Sequence, residues 1–193
     1  MDKQSVIETL QLEPHIEGGY FRRTYASPKS ITITKQTENG QEVRCERPIM
    51  TSIYYCLTSD HPIDYFHRNH SDIMHYFNLG LPIRYTVILP DGTLQETILG
   101  ASIREGHKQQ LLVPGGCWKA CELLCKSGHS GIGECIAATE QQVGGNLCDY
   151  GLISEAVTPG FDYSDMRLAT AAEMQSAYSK YWEHIKHLVK EEQ

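Results

Sequence analysis

The chain has 193 residues, 40% of them hydrophobic and 21% charged, as expected of a single soluble domain with a substantial core. Seventeen basic residues against 24 acidic ones give a net charge of −7, with no dense Lys/Arg stretch, so nucleic acid and anionic membrane surfaces are poor partners. No window approaches the about 20 apolar residues of a membrane span, and seven cysteines without a C-x-x-C pair suit neither a disulfide framework nor a common zinc site. Reduced thiols in a cytoplasmic protein are the expectation.

Val6, Ile7 and Leu10 recur at helical spacing, which predicts a short amphipathic helix over residues 2–10. Strand signals follow at residues 18–26, 31–35, 50–57, 64–67, 72–79, 83–89 and 93–99. Pro90, Asp91 and Gly92 separate the last two as a hairpin turn, proline presetting its φ and glycine supplying a positive one. Further strands are expected at 110–113, 118–125 and 151–157. Short strands divided by turn signals, with no helices between them, indicate an all-β barrel or sandwich with antiparallel pairing. The glycine-rich stretch 126–149 reads as a surface insertion. Thr170 and Glu173 have capping-box spacing, and Met174, Ala177, Tyr178, Tyr181, Ile185, Leu188 and Val189 form an apolar stripe. They predict a C-terminal helix over about 170–191, packed on the outside of the barrel.

Four segments in order carry a resemblance: Pro14 to Phe21 (PHIEGGYF), Phe66 to Asp72 (FHRNHSD), Val113 to Trp118 (VPGGCW) and Pro159 to Tyr163 (PGFDY). Together they resemble the cupin superfamily, specifically the cupin-5 group, over about residues 5–170. The resemblance implies one domain spanning 1–193, a double-stranded β-helix (cupin or jelly-roll barrel) over about 17–165 with a short N-terminal and a longer C-terminal helix. It also implies a homodimer. It says little about reaction, because this fold hosts oxygenases, epimerases, storage proteins and sensors.

Cupins that bind a metal supply His-x-His and a Glu from the first motif and one more His from the second. Here His67 is kept, while Asn69, Ile73 and Lys119 stand at the other three positions. A transition metal held in the usual way is therefore not expected, since an ammonium at the fourth position repels a cation. His75 could pair with His67 to bind a metal in an atypical way.

Period-two alternation puts His67, Asn69, His75, Phe77, Cys117, Lys119 and Cys121 on one face, with Tyr54 a further candidate from a neighbouring strand. This mixture suits a small polar or anionic ligand, carbohydrate-like or carboxylated. Lys119 would be the anion partner, and no cofactor is needed. Metal-free sugar epimerases of the superfamily use a His base and a Tyr acid. The resemblance thus suggests isomerase or epimerase chemistry with His67 or His75 as base and Tyr54 as acid. Asp64 and Glu155 are candidates to orient the base. Glu17, before two glycines, could reach the pocket mouth. A non-catalytic binding or structural protein, and a metal-dependent enzyme with atypical ligands, are the competing readings. Trp118 points away from Lys119 as core or dimer interface. Cys117, Cys121 and Cys125 read as buried inert thiols.

Overall fold

Segments rich in β-branched and aromatic residues pair into two antiparallel sheets that face each other. The structure is a computed structural model that describes residues 1–36, 39–124, 142–143 and 146–191. In chain order the first strands are β1 (Glu13–Pro14), β2 (Tyr20–Ala26), β3 (Ser30–Gln36), β4 (Glu42–Pro48), β5 (Thr51–Thr58), β6 (Ile63–Asn69), β7 (Asp72–Gly80) and β8 (Ile83–Ile88). They are followed by β9 (Leu94–Leu99), β10 (Gln110–Val113), β11 (Trp118–Leu123), β12 (Gln142–Val143), β13 (Asn146–Leu147), β14 (Tyr150–Thr158) and β15 (Met166–Leu168). One sheet has the order β1-β2-β5-β14-β7-β10 and the other β15-β6-β11-β8-β9. Neighbours far apart in sequence, such as β5 and β14, interleave the two halves of the chain into the expected all-β jelly-roll barrel. Remaining parts of the insertion expected over 126–149, at 126–141 and 144–145, lie outside the described residues.

Three apolar layers follow from strand alternation. Between the sheets lie Tyr55, Leu57, Ile83, Tyr85, Leu99 and Ile153. The outer face of the six-stranded sheet is covered at one end by α1 (Lys3–Leu10), whose Val6 packs with Leu12, Cys56, Tyr150 and Leu152. The outer face of the five-stranded sheet presents Phe66, Ile88, Trp118 and Ala120 to the C-terminal segment. Trp118 is thus core, flanked by the guanidinium groups of Arg68 and Arg167 at 4.8 and 4.9 Å from its ring.

The C-terminal segment starts where the capping box places it. The Thr170 hydroxyl accepts from the Glu173 amide at 3.3 Å to begin α2 (Ala171–Ala177). The Glu173 carboxylate goes instead to Arg167, at 2.6 and 2.9 Å. The helix expected over about 170–191 is then broken: Tyr178 adopts φ −128 and ψ 40, and short helical turns run through α3 (Trp182–Ile185) to Leu188. An unbroken 22-residue helix would be about 33 Å long, too straight to keep Met174, Ile185, Leu188 and Val189 all on one curved barrel wall.

Among the described residues the β3–β4 hairpin pairs only with itself. It is tied down by Lys35 and Arg47, which both bind Asp165; the Arg47 Nε to Asp165 Oδ2 distance is 2.6 Å. These two cations hold the Asp165 carboxyl below its ordinary pKa despite burial.

Replacing Ile185, which is fully buried, with Ala should cost about 2–5 kcal/mol. Chemical denaturation monitored by far-UV circular dichroism checks this, and a cost below about 1 kcal/mol would mean that the C-terminal segment does not cap the barrel.

Candidate functional site

A tight turn delivers the first polar side chain to the barrel. Gly18 and Gly19 have φ +113 and +61, and a Cβ on Gly18 would lie 2.1 Å from the Ile63 carbonyl oxygen. The turn is pinned from both sheets: the Tyr65 amide donates to the Glu17 carbonyl at 2.7 Å, and the Tyr55 hydroxyl donates to the Gly18 carbonyl at 2.6 Å. Glu17 is thereby driven inside rather than left at the surface.

Strand β6 contributes the next group. Strict alternation would send Asp64 and His67 to opposite faces. The β6–β11 register shifts between Lys119 and Cys121, pairing Lys119 with His67 and Cys121 with Asp64. One residue of β6 is absorbed by this irregularity, so Asp64, His67 and Asn69 all turn inward. From the opposite sheet, β7 and β14 pair His75 directly with Glu155. The result is a buried polar layer of Glu17, Asp64, His67, Asn69, His75, Lys119 and Glu155, each at most 8% exposed.

Its electrostatics are internally ordered. The Lys119 ammonium lies 3.8 Å from Asp64 Oδ2 and 3.9 Å from Glu155 Oε1. Burial alone would lower its pKa, but the surrounding carboxylates push it upward. Glu155 is held well below the usual range by Lys119 and His75. Glu17 is lowered by His67, His15 and Lys119 against its burial penalty. Asp64 goes the other way: burial, with Glu17 and Glu155 nearby, raises it well above the usual range, while Lys119 opposes the rise.

The two histidines differ in role. His67 Nδ1 is 2.8 Å from the Tyr65 carbonyl oxygen, which can only accept. Nδ1 therefore carries the proton, and Nε2 turns its lone pair toward the cleft, 3.5 Å from Glu17 Oε2. Burial lowers the His67 pKa to about 4. His75 lies deeper. Its Nδ1 is 3.1 Å from both Glu155 Oε1 and the Tyr85 hydroxyl, and burial lowers its pKa as well.

A cleft that is open at its mouth and narrow at depth reaches this layer. Buried Glu17, His67, Asn69, Lys119 and Glu155 line it together with His15, whose Nδ1 lies 3.3 Å from Glu17 Oε2, and with exposed Arg23 at the mouth. Phe21, Ile53, Val157 and Phe161 form apolar walls. His67, Asn69, Lys119 and Glu17, expected from the sequence, thus meet in one place, and Phe161 of the Pro159–Tyr163 turn closes one side.

Other expected residues lie elsewhere. Tyr54 points to the outer face of its sheet, against Val6 and Leu10 of α1, because Ile53 and Tyr55 take the inward positions of β5. The interior tyrosines are Tyr55 and Tyr85, both pushed well above the ordinary phenol pKa by burial. Phe77 packs on the interior apolar cluster, away from the cleft lining. Cys117 is buried in that cluster, where it adjoins Asn69 and Lys119.

The residues do not fit a transition metal. Of the four usual positions only His67 offers a strong ligand, since Ile73 is a buried apolar side chain and Lys119 a cation. Glu17, Asp64 and His67 do bring donor atoms within 4.8 Å of one another. The imidazole, however, stands between the two carboxylates. Asp64 is 3.5 Å from its protonated Nδ1 edge and Glu17 3.5 Å from its Nε2 edge. Lys119 already supplies the positive charge beside Asp64.

Residues 4–169 match the family described as Cupin superfamily (DUF985), Cupin_5. The chain belongs to the cupin superfamily. It is 34% identical, over 188 residues covering 96% of this chain and 79% of the other, to Uncharacterized protein YML079W of Saccharomyces cerevisiae. Among solved structures it is similar to a hypothetical protein from Leishmania major, with a TM-score of 0.76 and 27% identity, covering 99% of this chain and 100% of that one. Protein SO0799 from Shewanella oneidensis gives 0.75 and 25%, covering 100% and 99%. This cupin thus has relatives of its own length with the same barrel.

The His67 ring should titrate with a midpoint near pH 4, which ring NMR of labelled protein reads directly. Its folded pKa lies below the ordinary 6.5, so the folded state binds fewer protons than the unfolded state between those values. Stability from this group is complete above pH 6.5 and is lost as the pH falls toward 4, by about 3 kcal/mol. A His67→Gln variant should lose that part of the acid sensitivity. A midpoint at 6 or higher would contradict the burial argument.

Proposed function

We propose that this cupin binds a small carbohydrate-like or carboxylated molecule in its barrel and moves a proton on it without a metal, as an isomerase or epimerase does. The observation that carries this reading is the tautomer of His67. Nδ1–H is spent on the Tyr65 carbonyl, leaving Nε2 as a neutral base facing the cleft. A proton on a carbon beside a carbonyl would pass to Nε2, and the electron pair left behind would move to the carbonyl oxygen as an enolate. The Lys119 ammonium suits the developing oxyanion, and the Glu17 carboxylate suits the imidazolium that forms. Water entering by the open mouth would deliver a proton to the other face of the carbon while Nε2 loses its own to solvent, which inverts the carbon and restores the base. Lys119 replaces Tyr54 as the polar partner in this scheme, and the Tyr65 carbonyl orients the base by accepting from Nδ1–H at 2.8 Å.

The reading extends to a cytoplasmic homodimer. Exposed Tyr76, Leu79 and Leu112 on the outer face of the six-stranded sheet offer an apolar surface for a second copy.

The test is solvent exchange. A panel of aldoses, ketoses and sugar acids is incubated with the protein in heavy water, and deuterium at the carbon beside the carbonyl is followed by NMR. Wild type should exchange at least one member of the panel, and His67→Gln should do so about 100-fold or more slowly. Absence of exchange across the panel, or equal rates in the variant, would overturn the catalytic reading.

A further inference from the structure

The two ends of the cleft differ in sign and in hydrogen-bonding character. At the inner end Glu17 Oε1, Asn69 Oδ1 and His67 Nε2 are buried without a hydrogen-bond partner. All three are acceptors, so an occupant must donate to them. The Lys119 ammonium is held near carboxylates at 3.8 and 3.9 Å, beyond hydrogen-bond length, which leaves it donors to give. A carboxylate or phosphate pushed to this depth would meet Glu17 and Glu155, with Lys119 the one ammonium among the described lining residues to offset them. A hydroxyl meets neither objection, since it donates to the acceptors and accepts from Lys119.

The outer end is the reverse. Arg23 shares the inward face of β2 with Phe21, yet its side chain is exposed and lines the cleft. Its backbone pairs with Ile53 in β5, while its guanidinium makes no hydrogen bond or ion pair with another described residue. Between the two ends the walls are apolar: Phe21, Ile53, Val157 and Phe161. Such walls give orientation to a ligand polar at both ends, because neither polar group is satisfied halfway.

The geometry points to a polyhydroxylated ligand bound in one direction, with its hydroxyls inward on Glu17, Asn69, His67 and Lys119 and an oxyanion, phosphate or carboxylate, outward on Arg23. This rests on the proposed ligand site and adds the class of molecule and its polarity.

Calorimetric titration separates the parts. The probes are ribose, ribose 5-phosphate, ribonate and inorganic phosphate; the proteins are wild type, Arg23→Gln and Glu17→Gln. One or both of the anionic sugars should bind wild type about tenfold more tightly than ribose. Which of the two leads tells phosphate from carboxylate. Arg23→Gln, at an exposed position, should remove that advantage and leave ribose affinity unchanged. Glu17→Gln, nearly isosteric, should weaken all three sugars. The proposal is overturned if phosphate alone binds as tightly as ribose 5-phosphate, if the anionic preference survives in Arg23→Gln, or if no sugar probe binds at millimolar concentration. Because binding is read without turnover, the expected pattern in a protein showing no deuterium exchange would uphold the orientation while removing the acid–base reading alone.

Discussion

A buried ammonium set among carboxylates governs this barrel. Lys119 stands on the central strand of the five-stranded sheet, where a metal-binding cupin would place a histidine. Its charge must be answered from the facing sheet, and Glu155, held ionised, answers it at 3.9 Å. A charge taken this far out of water is tolerated only with partners on several sides. Glu17 and Asp64 complete them, and their placement requires both the glycine turn at 18–19 and the register shift in β6. The site and the irregular features of the backbone are thus one arrangement.

That arrangement also divides the histidines. His75 is packed between Glu155 and Tyr85 with its Nδ1 committed, and it forms part of the floor. His67 is anchored by a backbone carbonyl, which fixes its tautomer and aims a free nitrogen at the cleft. Both imidazoles are kept neutral mainly by burial, but only one can reach a ligand. The layer sets three carboxyl groups against one ammonium and leaves acceptors on Glu17, Asn69 and His67 without partners, which favours an occupant that donates hydrogen bonds at this depth.

The apolar layers serve the same end. The C-terminal turns seal the outer face behind Trp118, and α1 seals the other sheet behind Tyr54 and Cys56. Water is therefore kept from the back of both sheets, and the cleft is the approach to the polar layer among the described residues.

The barrel, its strand order of appearance and the loss of the usual ligand set were legible in the sequence, because alternation, turn residues and short motifs are local properties. That His67, Asn69 and Lys119 share a face followed from parity along the strands, whereas Glu17 was expected only at the mouth and is carried inside by the Gly18–Gly19 turn. Tyr54 was misplaced because parity within one strand does not say which face is inward, and Ile53 and Tyr55 hold that face. Asp64 and Glu155 could not be assigned without the fold: the first depends on a register shift, and the second on cross-strand pairing with a residue 80 positions away. The C-terminal stripe revealed a packed segment, but its breaks are set by the curvature of the wall it covers. Local chemistry determined the barrel and its altered ligand positions; long-range pairing decided which carboxylates surround the lysine, and so what the cleft can hold.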